Sequence, residues 1–182
     1  MTDAHSQGHV ARVPNDESEF QGFFLSNFDY VVRSLRRSGV HERDLDDVSQ
    51  EVFVRVHARF SERNPDDDPR PWLWAFAGNV AANYRRLARH AYEVPADPVA
   101  DPAGESNPEH DAMRGQQRSL VLRALAEVKE DRRGVLVLHD IDGVTAVEIA
   151  KSMKLPLNTV YSRLRLARED FRVAVRRMEA AA

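Results

Sequence analysis

The chain has 182 residues, a formal charge of −3 and no cysteine: enough for one ordinary domain or two small ones, with no disulfide or thiolate metal site. Its seven histidines are scattered rather than paired, and no apolar run approaches the roughly 18 residues of a membrane span. The polar start MTDAHSQGHVARVPNDESE lacks the basic and apolar regions of a signal peptide, so a cytoplasmic protein without metal, cofactor or membrane insertion is expected, with residues 1–18 as a disordered tail.

The first predicted helix runs over 20–37, with Phe20, Phe23, Phe24, Phe28, Val31, Val32 and Leu35 at helical spacing and Ser38-Gly39 as its stop. A second covers 44–60, apolar at Leu45, Val48, Val52, Val56 and Phe60. The polar run SERNPDDDPRP then breaks the chain, and Pro71 is expected to open a third helix, since proline is tolerated at helix starts. Its apolar face is Leu73, Phe76, Ala77, Val80, Tyr84 and Leu87. The stretch 93–114 carries Pro95, Pro98, Pro102 and Pro108 with no usable apolar face, which reads as a linker. Four more helices follow at roughly 115–128, 131–141, 145–153 and 157–177. Val135-Leu136-Val137-Leu138 has strand-like composition but sits among helix signals and reads as a buried helix. The expected fold is all-α: two small helical domains, 19–92 and 115–179, joined by a flexible linker, the second a four-helix domain with a helix-turn-helix.

The modest net charge conceals segregation. Between Pro71 and Tyr92 lie Arg85, Arg86 and Arg89 and no acid. Residues 93–111 hold six acids and no lysine or arginine. Residues 151–177 hold eight bases against Glu169 and Asp170. Local basic surfaces of this kind bind nucleic acid whatever the total charge.

The last basic segment has a groove-binding pattern. Thr145-x-x-Glu148 is a capping box at a helix start, Lys154 to Pro156 makes a turn, and Val160, Leu164, Ala167 and Phe171 form the apolar stripe of the next helix. Geometry then puts Asn158, Ser162, Arg165 and Glu169 on the opposite face, flanked by Tyr161 and Arg168. Arginine can bond guanine O6 and N7 in bidentate fashion, and asparagine can do so with adenine. Ser162, Arg163 and Arg168 suit phosphates, which position without specifying. In the third helix, Trp72, Asn79, Asn83, Arg86 and His90 share one stripe, with Arg85 and Arg89 beside it. An aromatic ring, amides and arginines suit unpaired bases and their phosphates, although Trp72 and Trp74 can equally be packing anchors. The exposed side of the second helix is acidic, with Asp46, Asp47, Gln50 and Glu51. It repels phosphates and suits a protein surface.

Three segments in order carry a resemblance. DLDDVSQEVF (44–53) resembles the DAEDLVQEVF-type helix of bacterial sigma-70 family factors. PWLWAFAGN (71–79), followed by Arg85-Arg86, resembles their WLxxIAxN…R promoter-melting helix. Glu148-Ile-Ala with NTVYSRLRLAR (158–168) resembles their EIA…TVxSRLxRAR recognition unit. The match spans about residues 20–92 and 115–178, and the short linker without further domains is similar to the extracytoplasmic-function (ECF) subgroup. The resemblance implies a promoter-specificity subunit of RNA polymerase and not an enzyme. It implies docking of Asp47, Gln50 and Glu51 on the clamp helices of the beta-prime subunit and a further contact with the beta flap. Melting and minus-10 recognition fall to Trp72, Asn79, Asn83, Arg85 and Arg86. Minus-35 recognition falls to Asn158, Tyr161, Ser162, Arg163, Arg165 and Arg168, with Leu166 at a further base-facing position. It also implies an anti-sigma partner. The sequence departs from the pattern at Lys154, where a turn glycine is usual, at Val128-Lys129 in place of Leu-Pro, at Asn83 in place of Asp, and at Tyr161 and Leu166, positions often basic. Two alternatives are a stand-alone helix-turn-helix regulator, which leaves the acidic helix and the Trp-Asn-Arg stripe unused, and a sigma-like interaction protein without a DNA role, suggested by Leu166 and Lys154.

Overall fold

The computed structural model describes residues 16–91 and 108–181, and the side chains of 17–87 and 115–181; most of the expected tail, linker residues 93–107 and the side chains of Arg89 and His90 lie outside these. Among the described residues the chain is helical throughout, with α1 (Asp16–Arg37), α2 (Leu45–His57), α3 (Pro69–Ala91), α4 (Pro108–Glu127), α5 (Glu130–Leu136), α6 (Ala146–Met153) and α7 (Leu157–Glu179). Short 3-10 turns occupy Glu42–Asp44 and Phe60–Glu62, and a π turn occupies Val137–Ile141. None of these helices is long and apolar enough to cross a membrane.

Helices α1 to α3 enclose one core, built on Val31, Leu35, Val52, Val56, Leu73, Ala77 and Val80. Aromatic rings extend it from α1 to α2 and the 3-10 turn after it: Phe24 meets Phe53 edge-on at 4.5 Å, and Phe20 meets Phe60 at 5.2 Å. Such edge contacts set positive ring edges against negative faces. Helices α4 to α7 enclose a second core containing Leu125, Val135, Leu138, Ile149, Val160 and Leu164. Val135 through Leu138 are buried in helical backbone, as the flanking signals indicated.

The helix ends explain the register. Val40 N–H bonds to Leu35 O and Gly39 N–H to Arg36 O, with Gly39 at φ 84°. That is a Schellman closure, and its paired apolar residues, Leu35 and Val40, are both buried. The start of α3 differs from expectation. Asp68 accepts from Arg70 N–H at 2.9 Å and acts as the cap, with Pro69 rather than Pro71 in first position. Both prolines fit because first-turn amides have no intrahelical acceptor.

Three further differences concern packing. The helix α4 begins at Pro108, inside the stretch expected to be linker, so the second helical unit starts earlier than 115. Leu87, placed on the apolar face of α3, is 55 % exposed. Most consequential, the two helical units are not independent. Trp74 of α3 is 5 % exposed and belongs to the apolar core of the α4–α7 unit.

Candidate nucleic-acid interface

The α6–turn–α7 unit is built as its sequence dictates. Thr145 Oγ1 accepts from Glu148 N–H at 3.2 Å, and Glu148 Oε2 accepts from Thr145 N–H at 2.9 Å. Each satisfies an amide that the first turn leaves unpaired. Donation from the Thr145 hydroxyl at 2.7 Å, and then from its N–H, holds the Glu148 carboxyl below its ordinary value. At the far end Leu155 N–H bonds to Ala150 O and Lys154 N–H to Lys151 O, with Lys154 at φ 53°. This closure repeats the one at Gly39, but a side chain stands at the left-handed position, which costs roughly 1–2 kcal/mol for an L-residue. Lysine at the family's glycine position therefore keeps the turn.

Burial fixes the face that α7 presents. Val160, Leu164, Ala167 and Ala174 are buried, whereas Asn158, Tyr161, Ser162, Arg165, Leu166, Arg168 and Glu169 are exposed. Arg163 lies at the edge of the packed side, partly buried. Tyr161, Arg165, Arg168, Glu169 and Arg172 line a shallow depression along the helix. Arg168 is not a free cation. Its Nη2 and Nε donate to Asp140 Oδ1 and Oδ2 at 2.7 and 2.8 Å. His139 Nδ1 lies 2.7 Å from the same carboxylate. The bonds from Arg168 hold the Asp140 carboxyl below its ordinary value, against the opposing effect of burial.

On α3 the expected stripe divides. Asn79 is exposed, and Asn83 Oδ1 accepts from Arg86 Nη2 at 2.8 Å, so the two make one polar unit on the surface. Trp72 is half-buried against Phe76, ring centres 4.8 Å apart, and Phe23, at 6.3 Å. Arg85 leaves the group: it donates to the carbonyl of Ser38 at the end of α1 and pairs with Glu130 at 2.9 Å. On α2, Asp46, Asp47, Gln50 and Glu51 are all exposed, opposite the buried Leu45, Val48, Val52 and Val56. Glu51 also pairs with Arg55, one turn on.

A family model described as sigma-70, region 4 matches residues 118–171, from within α4 to within α7. The ECF RNA polymerase sigma-E factor of Escherichia coli (strain K12) is 29 % identical over 171 residues, covering 88 % of each chain. The chain belongs to the ECF group of the sigma-70 family. The RNA polymerase sigma-H factor of Pseudomonas aeruginosa is 26 % identical over 180 residues, 93 % of each chain. Two solved structures share the fold. One is the sigma factor RpoE in complex with the anti-sigma factor NepR from Bartonella quintana, with TM-score 0.65 and 14 % identity over 87 % of this chain and 98 % of that one. The other is CnrH in complex with the cytosolic domain of CnrY, with TM-score 0.59 and 22 % identity over 91 % of each.

In this sigma factor the π turn and the residue that follows it carry acids that sequence reasoning missed. Asp140 faces α7, while Asp142 faces α1 and accepts from Arg37 Nη1 at 2.8 Å and Tyr30 Oη at 3.1 Å. Burial, then the Asp142 charge, raises the Tyr30 hydroxyl well above its ordinary value. The available signal was local: two acids within HDIDG, among apolar residues, directly before a capping box. Arg133 was also missed. It is buried and donates to the carbonyls of Ala126 and Val128 at 2.8 and 2.9 Å, closing the end of α4. Burial, reinforced by Arg85 nearby, lowers its pKa to about 10.

Proposed function

We propose that this sigma factor positions core RNA polymerase on promoters by dividing the work between two surfaces. The exposed N-terminal half of α7 enters the major groove of the minus-35 element. Asn158, Tyr161, Ser162 and Arg165 face base edges there, and Arg163 and Arg168 face phosphates. An Arg or Asn bidentate to a base contributes about 1–3 kcal/mol of discrimination. The α3 surface of Asn79, Asn83 and Arg86 receives an unpaired minus-10 base, with Trp72 as an aromatic wall. Extruding a base costs a few kcal/mol, which a fitted pocket offsets. Arg85 joins this surface only after release from Ser38 and Glu130.

The acidic face of α2, through Asp47, Gln50 and Glu51, docks on the clamp helices of the beta-prime subunit, and the α4–α7 unit meets the beta flap. The units 19–92 and 115–179 thus act as region 2-like and region 4-like modules, with α4 extending the second back to Pro108. The chain performs no covalent chemistry and works in the bacterial cytoplasm. An anti-sigma protein is the expected regulator, since a sigma factor of the same fold has been solved with an anti-sigma factor.

The observation that carries this reading is the capped α6, the Lys154 turn and the exposed Asn158–Arg168 face in one continuous unit. The test is run-off transcription with purified core polymerase. The chain is expected to co-elute with core and to yield transcripts of defined start, and Asp47→Arg with Glu51→Arg abolishes both while duplex binding persists. A dimeric protein that binds duplex tightly and ignores core polymerase is the contrary result, and would favour a stand-alone regulator.

A further inference from the structure

Among the described residues the left-handed backbone is adopted by Gly39 at φ 84°, Gly143 at φ 71° and Lys154 at φ 53°. At the first two positions the chain uses the residue that has no Cβ to crowd the carbonyl. At the third, between α6 and α7, it keeps a side chain where glycine would close the turn with less strain. Non-glycine residues held in this region are uncommon and cluster at functional sites. The end of α6 does not explain the choice, since Lys151 already places a cation in its last turn, where the helix dipole favours one.

The Lys154 side chain is exposed, and its ammonium makes no hydrogen bond or ion pair with any described residue. Lys151, three residues earlier, differs: its ammonium donates to Asp67 at 2.6 Å. Lys154 therefore carries an unneutralised charge at the joint of the helix-turn-helix, two residues before the Pro156 N-cap of α7 and four before Asn158. In this motif the first helix crosses the DNA backbone and the second enters the major groove by its N-terminal end. The joint between them is thus carried over the rim of the groove. That groove is about 12 Å wide, so phosphates flank the entering end. A lysine ammonium suits a contact there, because it is a compact point charge on a flexible stem and needs no fixed plane of approach.

Resting on the assignment of α7 to the minus-35 groove, we propose that Lys154 is a further DNA contact, its ammonium binding one backbone phosphate at the rim of the minus-35 element. The contact positions the helix and carries no sequence information. It lowers the stability of the turn and raises the hold on the duplex, which accounts for a lysine standing where glycine closes the turn most easily.

The test uses holoenzyme assembled from core polymerase and the full chain, on a promoter duplex identified by run-off transcription. Wild type is compared with Lys154→Arg, Lys154→Asn and Lys154→Gly. Asparagine and glycine accept the left-handed backbone, so the turn is kept while the charge is lost. Losing one phosphate contact should lower the slope of log K against log salt by about 0.9, which is about eightfold in affinity at about 0.1 M salt and vanishes near about 1 M. The same factor is expected on a duplex with a scrambled minus-35 element. Ethylation interference gives the readout that a merely structural lysine would not move. With wild type and Lys154→Arg, ethylating a phosphate at the edge of the minus-35 element should weaken binding. With Lys154→Asn and Lys154→Gly that position should lose its effect while the other sensitive phosphates stay. Either an unchanged ethylation pattern or an unchanged salt slope in both variants overturns the Lys154 contact and leaves α7 in its groove. A wild-type pattern with no sensitive phosphate around the minus-35 element overturns the α7 assignment and the Lys154 contact together.

Discussion

Arg168 and Asp140 are joined by two parallel hydrogen bonds of 2.7 and 2.8 Å on the exposed face of α7, where the proposed duplex contact lies. Carboxylate and guanidinium match in a fork geometry that fixes the direction of the remaining N–H donors. Under the proposed duplex contact, an anion would stand beside the phosphates and steady a cation aimed at them. Asp140→Asn removes one negative charge from this surface. Duplex binding by the full chain should tighten at low salt, and the slope of log K against log salt should steepen by about 0.9, the value for one additional neutralised phosphate. Fluorescence anisotropy over a salt series checks this, and an unchanged slope would mean that no phosphate lies near Arg168. The stability cost should stay below ~1 kcal/mol, because the pair is solvent-exposed.

The two ends of α6 should respond in opposite directions. Thr145→Ala removes the cap and should destabilise the protein by ~1 kcal/mol. Lys154→Gly relieves the left-handed strain at φ 53° and should stabilise it by ~1 kcal/mol. Each corresponds to roughly 2–4 °C in melting temperature for a chain of this size. A thermal-melting series on both variants reads the signs; a destabilised Lys154→Gly would show that the lysine side chain contributes more than its backbone strain costs.

This turn also marks how far the sequence could be read. The capping box, the apolar stripe Val160–Leu164–Ala167 and the exposed acids of α2 follow from spacing alone, because each helix there buries one face. Helix α3 buries two. Leu73, Ala77 and Val80 face the first core while Trp74, one residue around the helix, faces the second, so a single-stripe reading assigns only the first. Leu87 fits the stripe but is exposed, because helical period does not tell where a packing neighbour ends. Gly134 held an unused signal, since glycine inside a helix costs about 1 kcal/mol and often marks a close approach. Asp140 and Asp142 act across more than 25 and 100 residues of sequence respectively, a relation that no local pattern encodes.

Acid should loosen the molecule through a few identified carboxylates. Hydrogen bonding and charge from Arg36 hold Glu42 below its ordinary value of 4.5, against burial. Burial pushes Asp68 up, but the bonds and charge of Arg70 outweigh it and leave the group below 3.8. Asp140 is depressed likewise by Arg168. A depressed folded-state pKa contributes stability that is fully present above the unfolded value and lost as pH falls through the folded one. Melting temperature should therefore hold from pH 7 down to about 5 and drop below about 4, and Arg36→Ala should make that drop shallower. On the alkaline side Tyr84, whose pKa is raised from 10.0 to about 12 by burial and by donation to Asp44, contributes stability that is complete below 10 and lost as pH rises through about 12. A melting profile equally steep in acid for Arg36→Ala and the wild type would contradict this assignment.

The central claim is that α3 opens the strands while α7 holds the duplex, and permanganate footprinting of unpaired thymines in the polymerase–promoter complex tests it most directly. With the wild-type chain, thymines in the minus-10 element should become reactive. With Asn79→Ala or Arg86→Ala they should lose that reactivity by about tenfold or more, the equivalent of ~1.4 kcal/mol in the opening equilibrium, while binding of the minus-35 duplex stays within error of wild type. Reactivity that persists unchanged in both variants would contradict the claim.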